Sequence, residues 1–166
     1  MATNPRAKKS LFQKVGIAFS VLLVLIFATP VQSFSATPSK AKVLDVQGEA
    51  RFLRSGTSEW LPLTLDTVLT EGDSVKTSKN SKVKLELSGN SKTADMIVKE
   101  DSEFNFKTFH YEVPSRVENT LLDVAIGGIL VKAEKLADDS KFEVNTPTSI
   151  VGIRGTTFEV QVSKAA

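Results

Sequence analysis

The chain contains no cysteine, so disulfides, thiol nucleophiles and cysteine-held metals are all excluded. It has a single histidine, His110, which excludes a histidine-rich metal site and leaves one candidate base for any Ser-His-acid arrangement. No nucleophile elbow, phosphate-binding loop or dinucleotide fingerprint occurs. Paired carboxylates of the glycosidase kind stay open, but nothing singles out a pair. The chain is therefore read as non-enzymatic, with no cofactor and no metal. No internal repeat recurs, which argues against a long solenoid. Beyond the first residues, no segment carries an amphipathic helix longer than about two turns.

Apolar residues make up 41 % of the 166, enough for a packed core in one domain. The formal net charge of +2 misleads. Arg6, Lys8, Lys9 and Lys14 precede the apolar stretch with no acid among them, and without these four the rest holds 17 basic against 19 acidic residues. A domain so close to neutral lacks the electrostatic footprint of a nucleic-acid binder. Residues 1–36 have the three-part layout of a secretory signal peptide: a basic start, the uncharged run from Val15 to Ala28, then small residues. Cleavage is expected after Ser33, Ser35 or Ala36. The alternative is an uncleaved inner-membrane anchor over residues 15–31, and both readings put the remainder outside the cytoplasm, in the periplasm or beyond. No cysteine follows the apolar run, so a lipoprotein anchor is excluded.

Residues 37–41 read as a linker and residues 163–166 as a tail. Between them the pattern is short strands broken by turn residues. Lys82 to Ser88 alternates, with Val83, Leu85 and Leu87 on one face; Ser88 to Ser91 turns; Ala94, Met96 and Val98 share the next face, which makes a hairpin. Phe104 and Phe106 keep one phase, and Phe109, Tyr111 and Val113 take the other. The slip near Lys107-Thr108 predicts a bulge or corner. Leu121 to Ile126 is apolar on both faces and fits a buried strand or a helical turn, with a turn or bulge at Gly127-Gly128. Asp138-Asp139-Ser140 is a turn, and Pro147 ends a strand. The expected fold is all-β, a single domain of short antiparallel strands over residues 42–162, as a sandwich or short β-roll. Its expected core comprises Leu44, Val46, Val83, Leu85, Leu87, Phe104, Phe106, Phe142, Val144, Phe158 and Val160.

Several pieces then stand in a particular order: Val46 to Ala50, Trp60 to Leu63, the run Leu69 to Thr77 around Gly72-Asp73, Phe142 to Pro147, and Val151 to Val160 around Arg154-Gly155-Thr156. This order resembles the FecR domain, whose hallmarks are a "GD.(I/V).T" turn and a terminal "RGT.F.V" strand. The resemblance covers about residues 42–162. It implies an exported domain, which in the best-known branch receives a signal from an outer-membrane transporter and relays it to a sigma factor. Only 14 residues precede the apolar run, too few to fold around a sigma factor, so a stand-alone form without the cytoplasmic anti-sigma segment is expected.

The motif residues Gly72, Asp73, Thr77, Thr146, Pro147, Gly152, Arg154, Gly155, Thr156 and Phe158 are read as structural. Gly72-Asp73 is turn chemistry. Arg154, with Gly152 and Gly155, is expected to form an internal corner, its guanidinium clamping carbonyls or a carboxylate such as Asp73. The competing reading has Arg154 grip an anionic group of a partner. Trp60 either plugs the edge of the core or offers a stacking platform to a sugar. His110 is expected on the outer face, and Glu100 to Glu103 as a solvated turn rather than a calcium loop. The function expected is an envelope module for protein interaction, sensing or scaffolding through exposed strand edges. The alternatives are a peptidoglycan or polysaccharide binder, or a transmembrane regulator working with a separate anti-sigma partner. Partners are thus an envelope protein or a cell-wall glycan. No nucleic acid is expected, and the membrane only through the N-terminal segment.

Overall fold

The computed structural model describes residues 35–137 and 139–163. The leader up to residue 34, Asp138 of the expected turn and residues 164–166 of the expected tail lie outside them. Among these residues thirteen strands follow one another: β1 (Ser35–Pro38), β2 (Lys40–Gln47), β3 (Ala50–Leu53), β4 (Trp60–Pro62), β5 (Val68–Leu69), β6 (Ser74–Thr77), β7 (Lys82–Ser88), β8 (Lys92–Val98), β9 (Glu103–Val113), β10 (Glu118–Ala133), β11 (Lys141–Asn145), β12 (Ile150–Ile153) and β13 (Thr157–Val162). No helix among the described residues is long and apolar enough to cross a membrane. The all-β reading holds.

The hydrogen-bonded path runs β4-β3-β6-β9-β10-β8-β7-β2-β5. β10, 16 residues long, belongs to both halves of the sheet. Its first part pairs with β9 on one side and with β11 on the other; its second part pairs with β8 and with β13. The bend between the parts falls at Gly127-Gly128. Gly127 has φ +85°, and a Cβ there would stand 2.3 Å from Ser102 Cα, so only glycine lets β10 pass the corner ahead of β9 so closely. The Ser102 hydroxyl sits in this corner, accepting from Gly128 N–H at 2.9 Å and lying 3.2 Å from Gly128 O. One pairing departs from the antiparallel expectation: β10 and β11 run parallel.

The sheet folded at β10 encloses one core, with Phe104, Phe106, Phe142 and Val144 from the first half and Leu85, Met96 and Val131 from the second. Phe106 stacks on Phe109 at 4.8 Å and meets Phe104 edge-on at 5.2 Å. The phase slip at Lys107 is a bulge: Leu121 faces Thr108, Leu122 faces Phe106, and Lys107 is passed over into solvent. The expected hairpin is β7-β8.

Three expectations need correction. Leu44 is only half-buried; the register shift between Val43 and Asp45 makes it the extra residue of a bulge, so Ala41 and Val43 fill the core instead. Val46, Phe158 and Val160 pack against the core but are only partly covered, the last two because β13 is an edge strand among the described residues. Residues 37–41 are no linker: β1 pairs with β9, Ser39 N–H donates to Phe109 O at 3.0 Å, and Ala41 is fully buried.

Candidate functional site

Gly72-Asp73 opens β6. Gly72 takes φ +85° and donates its N–H to Phe106 O at 2.7 Å. Asp73 is fully buried, its carboxylate accepting from Thr70 N–H at 2.9 Å, Ser55 N–H at 2.9 Å and Arg54 Nη1 at 2.6 Å. Arg54 also donates to Val68 O and lies over the Phe52 ring. Asn105 Nδ2 ties β9 to the same turn through Gly72 O and Ser74 Oγ. Val75 is core, and Thr77 Oγ1 donates to Lys99 O at 2.6 Å while accepting from Ser102 N–H at 3.1 Å. The turn motif is thus a brace: glycine bends the chain, aspartate gathers donors from three residues, and threonine locks β6 to the β8-β9 corner.

The clamp on Asp73 is Arg54, not Arg154. Arg154 stands exposed in the bend between β12 and β13, and Gly152 has no atom within 4 Å of where a Cβ would sit. The internal corner expected of Gly152, Arg154 and Gly155 does not form, because among the described residues β12 is an outer strand paired to β11 alone. Gly155 does answer a local demand, with φ +61° and a virtual Cβ 3.2 Å from Lys135 Cα. Exposed Thr156 accepts from Ala133 N–H at 3.1 Å through its carbonyl. Phe158 meets Phe142 edge-on at 6.2 Å. Thr146 closes the turn through Pro147 by accepting from Ser149 N–H at 3.1 Å on its hydroxyl.

Trp60 is half-buried on edge strand β4, with Lys76 Nζ 4.0 Å from its ring centroid. It neither plugs the core nor offers both faces. His110 lies part-exposed, its Nδ1 3.0 Å from Glu71 Oε2, which also accepts from Phe109 N–H at 2.6 Å. Desolvation pushes the Glu71 carboxylate up, but the Phe109 and His110 contacts outweigh it and hold the group below its usual value. Among the described residues no group of three or more His, Asp or Glu could hold a metal ion.

Sequence reasoning missed two residues. Arg54 sits in an exposed-looking stretch, and nothing local marks it as the partner of an acid 19 positions on. Glu118, nearly fully buried, accepts from Thr93 Oγ1 at 2.6 Å and Asn90 N–H at 3.1 Å. Its only signal is an acid at the head of a largely apolar strand.

The remaining feature lies on the open side of the sheet. Ile150 on β12 is 68 % exposed and Val151 39 %. Beside them a groove of about 540 Å³ runs between the Thr146–Ser149 turn and β13, lined by Ala125, Ile126, Val160 and Val162 among others. Among the described residues β13 pairs with β10 alone, so its outer main-chain groups face this opening. Such an arrangement offers apolar contact and hydrogen-bonding backbone together, the chemistry of strand addition.

The family described as FecR protein matches residues 73–166, from the buried aspartate through the β13 strand. The pieces from Val46 to Ala50 and from Trp60 to Leu63 precede that match. Neither the curated proteins nor the solved structures gave a match.

Proposed function

The chain belongs to the FecR family, and from that premise we propose that it is a non-enzymatic interaction module of the bacterial cell envelope, sensing or scaffolding through the open side of its sheet. The family is a regulatory one, related to envelope signalling. Export by the leader places the module in the periplasm or at the surface, with residues 15–31 as the anchor where the leader is retained. The observation that carries the reading is the apolar pair Ile150 and Val151, exposed beside the groove and the edge of β13 that no other described strand pairs. Apolar side chains next to free main-chain donors and acceptors suit an extended protein segment better than a sugar. A wall-glycan role draws less support, since Lys76 already occupies one face of Trp60.

A photo-reactive residue replacing Ile150 in the full chain, irradiated in the native envelope and read by mass spectrometry, tests this. A discrete protein adduct is expected. A glycan adduct, or no adduct at all, overturns the proposal.

A further inference from the structure

Sheet edges in natural proteins are guarded by shortness, proline, bulges or unpaired charge. β5 has two residues, β4 has three and includes Pro62, β1 carries Pro38, and β12 has four. β13 runs six residues, Thr157–Val162, in unbroken register with β10 and without proline. Its single charged side chain, Glu159, is already paired with Lys99 across β10. That pairing crosses over Gly128, where a Cβ would stand 3.0 Å from Lys99 Cδ and collide with the Gln161 amide. The longest of these edges is therefore also without a free charge.

Which main-chain groups face outward follows from β10. Gly128 O accepts from Lys99 N–H, and Glu134 N–H donates to Thr93 O, so even-numbered β10 residues turn toward β8. Ala133 N–H donates to Thr156 O, so odd-numbered ones turn toward β13. With Ile129 opposite Val160 and Val131 opposite Phe158, those β13 residues exchange their bonds with β10. The N–H and C=O groups of Thr157, Glu159 and Gln161 then point to the open edge.

We infer that this edge pairs with the β13 edge of a second copy of the chain, antiparallel about a two-fold axis at Val160. The inference rests on the interaction reading above and names one partner for it. In that register Glu159 lies opposite Gln161 of the second copy, an acceptor against an amide, and both are positions whose main-chain groups face outward. About four main-chain hydrogen bonds form from these two residues alone. Val160 meets its own mate, and Phe158 meets Val162, on the half-buried apolar face. Moving the axis to Glu159 would set like charges directly opposite, which is unfavourable. The groove beside β13 leaves room for the incoming strand.

The absence of cysteine makes the register readable, since each introduced thiol reports one pairing. The full chain is produced in its native envelope, oxidised mildly and resolved without reductant. Val160→Cys is expected to give a disulfide-linked dimer, the mated Cα atoms lying about 4.5 Å apart, within disulfide reach. Glu159→Cys alone and Gln161→Cys alone are expected to give at least tenfold less, while the two chains co-expressed give the dimer. These two positions are exposed, so they carry the test even where Val160→Cys does not fold. Gln161→Pro, which removes an outward donor and spares the ladder to β10, is expected to abolish the Val160→Cys dimer. Equal crosslinking at 159, 160 and 161 singly, or monomer throughout, overturns self-pairing. If it is overturned while the Ile150 photo-adduct to another protein persists, the interaction reading stands without a second copy.

Discussion

Asp73 shows how one residue type can be demanded by its surroundings. Its carboxylate satisfies two backbone amides, Ser55 and Thr70, that have no other acceptor in that turn, and it takes the Arg54 fork as well. Arg54 is 40 % exposed and can turn to water when the acid is removed, but the amides cannot. Asp73→Ala is therefore expected to cost about 2–4 kcal/mol, from two orphaned donors and a lost charge-assisted bond. Asp73→Asn, which keeps one acceptor oxygen, should cost less. Urea midpoints of the two variants against the parent check the order; equal loss would mean that the charge rather than the acceptor geometry matters. The sequence announced the turn through Gly72-Asp73 but not the clamp, because a partner 19 residues away is set by how β3 and β6 lie side by side. An arginine next to a glycine, Arg154, looked the better candidate on local grounds and lies on the wrong strand for it.

At the scale of the element, glycine separates what alternation can reveal from what it cannot. The Lys107 bulge was legible, because two phenylalanines in one phase and a third in the other cannot share a face without an extra residue. The Leu44 bulge was not, because its neighbours Val43 and Val46 are apolar in both phases. Gly127-Gly128 read as a turn or bulge, yet the strand runs through it; the demand there comes from Ser102, just ahead of β9. Gly127→Ala is expected to destabilise strongly, by about 1–2 kcal/mol for the positive φ alone and more for the contact with Ser102 Cα. Gly152→Ala, exposed in β12 with open space at its Cβ, should shift stability by no more than about 0.5 kcal/mol. Thermal unfolding of the pair tests the contrast, and a larger loss at Gly152 would mean that the terminal motif braces the fold after all. The parallel pairing of β10 with β11 had no local sign at all, since strand direction depends on the path of the connecting chain.

For the whole molecule, the question is whether two sheet halves joined through β10 behave as one body. They share one core, in which fully buried Phe106 packs against Phe104 and Phe109. Burial from both sides of the fold makes neither half's apolar face complete without the other. The protein should therefore unfold in a single transition. Trp60, the only tryptophan, reports on β4 in the first half, while far-UV circular dichroism reports on every strand. The two signals are expected to share one urea midpoint, and Phe106→Ala to lower both together by the equivalent of about 3–5 kcal/mol. A Trp60 transition that moves while the dichroism midpoint stays would show the halves to be separable. The self-pairing proposal would then need only the half that carries β13, whereas the contact through Ile150 and Val151 on β12 would need the other.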